Sequence, residues 1–216
     1  MAGVASDGWQ FSRTAVASRE LTARLIGPLL GWLMHGPVVV GAGHLSELDS
    51  PAIICPTHAS HLDFSAVRLA LGPRHRRRLA AAAAADYFRM DPLRWFVAAW
   101  LGSFAFNRAG KGGAESISAA EGLLRAGWNV LVFPEGTRTA NGEINAFHPG
   151  VGLLARRAGC QLVPIRLVGI RGVLPKGTHG PRRARVEVRI GTPLRPTPGE
   201  GARELTARLE AAVRAL

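Results

Sequence analysis

Acidic side chains are scarce in this chain, with 15 Asp and Glu against 27 Lys and Arg and a formal net charge of +12. Such a surface attracts phosphate in some form, and charge by itself does not choose between nucleic acid, anionic lipid and a phosphorylated substrate. A single Tyr, with no helix-turn-helix, zinc-finger or RNP pattern, argues against nucleic acid as a partner. Cysteine is almost missing as well. Cys55 and Cys160 lie far apart on apolar stretches, which is no disulfide framework and requires no oxidising compartment. Cys55 ends the apolar run that begins at Pro51, and nothing near it in sequence would lower its pKa, so its proximity to His58 does not make it a nucleophile.

Long apolar helical runs are also lacking. Residues 25–43 carry no Lys, Arg, Asp or Glu, yet Gly27, Pro28, Gly31, Gly36 and Pro37 interrupt them, whereas a membrane span needs about 20 predominantly apolar helical residues. No secretory leader is expected, because Asp7 and Glu20 stand where a basic start belongs. The stretch Leu21–Met34 predicts a short helix carrying Leu25, Ile26, Leu29, Leu30, Trp32 and Leu33 behind Arg13, Arg19 and Arg24. That composition suits a helix lying in a membrane interface, and the alternative is a helix packed on the protein's own core. Residues 1–36 are accordingly read as a membrane-associating segment and 37–216 as the catalytic domain. The basic run Arg74–Arg78 is expected to add affinity for anionic lipid.

At 216 residues and 47% hydrophobic content the chain can build one domain with a sizeable core. Strands are expected at Val38–Val40, Ala52–Cys55, Ser103–Phe106, Asn129–Phe133, Gln161–Val168 and Ala184–Ile190. Helices are expected at Phe64–Leu71, Ala114–Ala126, Pro149–Arg157, stopped at Gly159, and Gly201–Leu216. The alanine run Ala80–Ala85 reads as helix by propensity or as a crowded buried strand, and Asp86–Trp100 is apolar and aromatic. Helices alternating with strands predict an α/β fold, with a central, mostly parallel sheet flanked by helices.

Two stretches carry the chemistry, His58-Ala-Ser-His-Leu-Asp63 and Phe133-Pro-Glu-Gly-Thr-Arg138. Five residues on one helix are about 140° apart around the axis, so His58 and Asp63 meet only if His58 sits in the loop before the helix. Ser60 to Asp63 has the form of a capping box with Ser60 as N-cap, which puts Asp63 in the first turn, within reach of a loop imidazole. In isolation the pair could be a helix cap beside an ordinary loop histidine. His58, His61 and Asp63 also have metal-ligand chemistry, close to the Thr-His-x-His-x-Asp-His run of metallo-β-lactamase-type hydrolases. Here the second His comes one residue late, Phe64 stands where the next His belongs, and His75, His148 and His179 form no spaced cluster.

The order of the blocks decides between these readings. Thr57-His58-Ala59-Ser60-His61-Leu62-Asp63, Gly102-Ser-Phe-Ala-Phe-Asn-Arg108, Phe133-Pro-Glu-Gly-Thr-Arg138 and Val163-Pro164-Ile165 follow one another along the chain. In this the chain resembles the lysophosphatidic acid acyltransferase-like (PlsC-type glycerolipid acyltransferase) family, departing from its pattern at Thr57, where the family has Asn, and at Asn107, where it has Asp. The resemblance implies an O-acyltransferase that moves a fatty acyl group from acyl-CoA or acyl carrier protein to a lysophospholipid, above all 1-acylglycerol 3-phosphate, with no metal or organic cofactor. It implies His58 as general base and Asp63 as its orienting carboxylate, a division of labour that suits an imidazole changing charge near neutral pH. It further implies acceptor contacts from Ser60, Arg108, Lys111, Glu135, Gly136, Thr137 and Arg138, with the guanidinium forks on phosphate and Glu135 holding a glycerol hydroxyl or orienting Arg138. Phe133 and Pro134 are read as structural. The expected location is peripheral or monotopic on the cytoplasmic face of a membrane. Within the family the alternative is an acyltransferase acting on another lysolipid or alcohol; readings from different classes are a non-catalytic lipid-binding module on the same fold or a metallohydrolase.

Overall fold

The computed structural model describes residues 8–84, 101–107, 111–139, 142–174 and 180–216. The aromatic stretch after Asp86 lies outside them, as does Arg108. Seven strands form one sheet: β1 (Val38–Val40), β2 (Ile53–Pro56), β3 (Leu79–Ala84), β4 (Ser103–Phe106), β5 (Asn129–Leu131), β6 (Leu162–Val168) and β7 (Glu187–Ile190), in the order β1-β7-β6-β2-β5-β3-β4. From β6 through β2, β5 and β3 to β4 every pairing is parallel, whereas β7 runs antiparallel to β6 and β1 parallel to β7. The expected mostly parallel sheet is therefore present, with a reversed pair at one edge. The alanine run resolves as strand β3 between β5 and β4. Tertiary pairing overrides alanine's helical preference there.

Helices cover both faces. On one side lie α4 (Lys111–Arg125), α5 (Gly150–Ala158) and α6 (Ala202–Ala215), which bury Leu123, Leu124, Leu154, Leu205 and Leu209 against Ile53, Val130 and Leu162. The left-handed Gly159 (φ 63°) ends α5 where the sequence places its stop. On the other side, α2 (Asp63–Ala70) and the short α3 (Gly72–Arg76) pack Ala66, Val67 and Leu71 over Ile54, Leu131 and Val163.

The N-terminal helix α1 (Arg13–Leu33) starts two turns earlier than expected and crosses the α2 side of the domain. Among the described residues no helix is long and apolar enough to cross a membrane. The two faces of this helix differ. Gly27 and the following Met34 are buried, while Leu21, Leu25, Ile26, Leu29 and Trp32 are exposed, Leu25 by 72%. Arg19 is not available to lipid: it is buried and donates to the Gln10 carbonyl at 2.6 Å, and burial lowers its pKa to about 10. An ion-pair cluster helps tie α1 to the domain, where Glu20 takes Arg68 at 2.7 Å and Arg76 at 3.1 Å with all three side chains largely out of water. Arg76, the middle of the basic run, is thereby spent inside the protein.

Glu20→Ala would leave two guanidiniums, with buried Arg19 nearby, without their common carboxylate. Removing one partner of a buried ion pair is costly, and a loss on the order of 3 kcal/mol is expected in urea unfolding, together with protease cleavage within α1. Unchanged stability would show that apolar packing alone seats this helix.

Candidate active site

Parallel strands all deliver their carboxyl ends to one edge of the sheet, and open α/β sheets bind ligands there. His58 follows β2 in an irregular loop, as its separation from Asp63 requires, and Asp63 opens α2. The Asp63 carboxylate is fully buried, and its Oδ2 accepts from His58 Nδ1 at 2.8 Å, Ala59 N at 2.7 Å and Ser60 N at 2.9 Å. A carboxylate in this first turn is also favoured by the positive end of the helix. Since Asp63 accepts, Nδ1 carries the ring proton and Nε2 is the basic nitrogen. The capping box is made only in part. Ser60 Oγ accepts from Leu62 N at 3.2 Å and Asp63 reaches back to Ser60 N, but the regular helix begins at Asp63 with Leu62, not Ser60, at the N-cap.

The second stretch leaves β5 as a turn that closes over the His58 loop. Gly136 adopts φ 67°, a left-handed conformation that favours glycine, and donates to the Phe133 carbonyl at 3.0 Å. Thr139 N donates to the His58 carbonyl at 2.9 Å, and Arg138 donates to His61 Nε2. The Phe133 ring stacks on the His58 imidazole with centroids 3.9 Å apart and planes 19° from parallel. Sequence reading treats Phe133 as structural, and its placement against the imidazole shows only once two loops are folded together.

Glu135 sits 3% exposed between these loops. Its Oε1 accepts His58 N at 2.7 Å and its Oε2 accepts Asn145 N at 2.9 Å. Burial raises its pKa above the ordinary glutamate value, against the opposing pull of the two amides. Both oxygens are thus occupied by backbone, in place of the hydroxyl or the Arg138 contact that the sequence suggests. Thr57, where the family pattern has Asn, is buried and accepts Leu167 N at 2.9 Å, which extends the β2–β6 pairing by one residue. Cys55 is fully buried, and burial pushes its thiol far up, which suppresses the thiolate a nucleophile needs.

A cavity of about 810 Å³ opens beside His58. Ser60, His61, Gly136, Thr137 and Arg138 line one part, where Thr137 and Arg138 are exposed. Ala82, Phe106, Ile117, Val132, Val151 and Leu154 add apolar wall, Ile117 from α4 and Val151 and Leu154 from α5. The methyl side chains of β3 leave the room that larger residues would fill. Asn107 also lines the cavity, and its N donates to Ser116 Oγ at 2.7 Å. Lys111 is the first residue of α4, and its side chain, like Arg108, lies outside what the structure describes. Among the described residues no three His, Cys, Asp or Glu are grouped as a metal ion would require.

A family model described as Acyltransferase matches residues 35–168, more than half of the chain and the span that holds all four blocks. The chain belongs to the Acyltransferase family. It is 27% identical over 143 residues to a chloroplastic 1-acyl-sn-glycerol-3-phosphate acyltransferase of Arabidopsis thaliana, covering 66% of this chain and 38% of that one. It is 32% identical over 171 residues to 1-acyl-sn-glycerol-3-phosphate acyltransferase alpha of Ovis aries, covering 76% of this chain and 54% of that one. The aligned part therefore spans about half or less of these longer relatives. The crystal structure of the 1-acyl-sn-glycerophosphate (LPA) acyltransferase PlsC from Thermotoga maritima has the same fold, with TM-score 0.68 at 20% identity over 94% of this chain and 82% of that one. In acyltransferase terms, the cavity lies where the first and third sequence blocks meet.

Glu135→Gln replaces two acceptors by one and turns an NH2 group toward a backbone N–H. A buried unpaired amide costs about 1–3 kcal/mol. The expected result is a lower Tm with kcat reduced much more than KM is raised, since losing either amide loosens the junction that seats the His58 loop. Unaltered kcat in a folded variant would show that the His58 loop holds its position without this carboxylate.

Proposed function

We propose that the chain transfers a fatty acyl group from acyl-CoA or acyl carrier protein to the free hydroxyl of 1-acylglycerol 3-phosphate, giving phosphatidic acid. The observation that carries the reading is the His58–Asp63 pair, joined at 2.8 Å, at the wall of a cavity that is lined both by apolar side chains and by Arg138. The names of the relatives support the same acceptor.

An alcohol is a weak nucleophile at neutral pH. His58 Nε2 takes its proton as the oxygen attacks the thioester carbonyl, and Asp63 stabilises the imidazolium that forms. When the tetrahedral intermediate collapses, the carbon–sulfur bond breaks, and the imidazolium returns the proton to the departing thiolate. The hydroxyl attacks directly, with no acyl-enzyme, which is consistent with the deeply buried Cys55. The acyl chain lies along the apolar part of the cavity wall, which includes Ala82, Ile117 and Leu154. Arg138, Thr137, Gly136 and Ser60 face the acceptor, Arg108 and Lys111 complete its phosphate site, and Glu135 holds the loop that carries His58. To bind phosphate, Arg138 exchanges its hydrogen bond to His61 for a charged one. The mechanism calls on no metal or organic cofactor.

Residues 1–36 serve as the membrane-associating segment and 37–216 as the acyltransferase domain, on the cytoplasmic face. The exposed stripe of α1 supports this division.

His58→Ala should lower acyl transfer by a factor on the order of 10² to 10⁴ with the fold intact, read by mass spectrometry of products from acyl-CoA and a panel of lysolipids. Near-normal turnover in the folded variant would remove His58 from the mechanism.

Arg138→Ala tests the acceptor. Losing one charge-assisted contact costs about 1.5–3 kcal/mol, so use of lysophosphatidic acid should fall roughly tenfold to a hundredfold while a phosphate-free alcohol acceptor is spared. Equal slowing on both acceptors, or a wild-type preference for the neutral one, would overturn the phosphate assignment.

A further inference from the structure

We infer that Arg182, Arg183 and Arg185 form a basic rim that binds the phosphate groups of an anionic lipid surface and so orients the docked enzyme, an inference that rests on the membrane reading above. The sequence places an anionic-lipid contact at Arg74–Arg78, but that run precedes β3, at the amino end of the parallel strands, and its Arg76 is held by Glu20. The three later arginines are all exposed. They also lie at the other end of the sheet: Glu187 opens β7 opposite Val168, so the residues just before it stand beyond the carboxyl end of β6, as the His58 loop stands beyond β2.

Backbone bonds hold this segment in place against α1. Arg182 N donates to the Val173 carbonyl at 2.7 Å, Ala184 N to the Leu33 carbonyl at 3.0 Å, and Val38 N to the Val186 carbonyl at 3.0 Å. Arg183 lies over the Trp32 ring, 4.6 Å from its centroid, and its Nε donates to the Trp32 carbonyl at 3.2 Å. Trp32 is the last exposed residue of the stripe through Leu21, Leu25 and Leu29. The stripe thus ends in an indole, a group suited to the headgroup level of a bilayer, with guanidiniums beside it. The nearest carboxylate in sequence, Glu187, is held by Arg189 through two bonds of 2.9 and 3.1 Å. An extended apolar face bordered by planar forks fits an array of lipid phosphates, with acyl chains below and charge at the surface.

The test compares binding of the full chain to phosphatidylcholine vesicles and to vesicles containing phosphatidylglycerol. Arg182→Gln/Arg185→Gln leaves the Trp32 contact of Arg183 in place, and Arg156→Gln/Arg203→Gln removes the same charge from exposed positions on α5 and α6, across the sheet. At about one kcal/mol per arginine near an anionic surface, the first pair should weaken binding to the anionic vesicles by roughly tenfold to thirtyfold and flatten its salt dependence. Binding to neutral vesicles should be unchanged, and the second pair should have little effect. Equal losses from both pairs would reduce the effect to net charge and overturn the rim, as would wild-type binding indifferent to lipid charge. Loss of wild-type vesicle binding in low millimolar inorganic phosphate would assign the arginines to a free anion instead. A wild-type preference for duplex DNA over anionic vesicles, lost in the first pair, would replace lipid by nucleic acid. Turnover on a dispersed short-chain acceptor, expected to be equal in all variants, reports on the acyltransferase reading separately.

Discussion

One buried carboxylate holds two loops in register. Glu135 accepts the amide of His58 from the loop after β2 and the amide of Asn145 from the segment before α5. Neither loop belongs to a regular element at that point, so its amides have no ladder partner and would cost free energy if left unpaired away from water. Asp63 repeats the device one step closer to the chemistry, accepting the His58 ring and two amides with a single oxygen. The imidazole is fixed through its backbone, its Nδ1 and its face against Phe133, which leaves Nε2 as the group with freedom to exchange a proton. Preorganisation of this kind fixes the imidazole ahead of any ligand.

The sheet supplies the frame on which these loops meet. With β5 paired between β2 and β3, the third block emerges next to the first although about 70 residues separate Asp63 from Phe133 in the chain. The same arrangement brings β3 under α4 and α5, where its alanines border the cavity. An alanine strand contributes little packing of its own, so a buried run of them is stabilised by its neighbours and shaped by the space it leaves.

The arginine surplus is not uniformly available to a ligand. Arg19, Arg68 and Arg76 are drawn inward around Glu20 and Gln10, where they seat the N-terminal helix. The remaining exposed groups carry the capacity to meet phosphate, and position in the fold separates them. Arg138 stands at the rim of the cavity, whereas Arg182 to Arg185 border the outer face of α1. A count of charges predicts an anion-binding protein and says nothing of how many anion sites it has.

Sequence alone determined the alternating α/β order, the stop of α5 at Gly159 and the loop position that His58 needs in order to reach Asp63, because each follows from local rules: periodicity, glycine's conformational freedom and the angular step of a helix. The family was legible for a related reason, since four short blocks in order are a far more specific pattern than one histidine and one aspartate. The strand identity of the alanine run, the Glu135 bridge, the Phe133 stack and the helical cap at Leu62 in place of Ser60 depended on residues distant in the chain. So did the split of α1 into an inward face at Gly27 and an outward stripe through Leu25 and Trp32. Those features are contacts between elements, and a one-dimensional pattern records which residues are apolar or charged without recording which of them meet. Only tertiary packing decides which carboxylate finds an amide, which arginine finds a glutamate and which is left facing solvent.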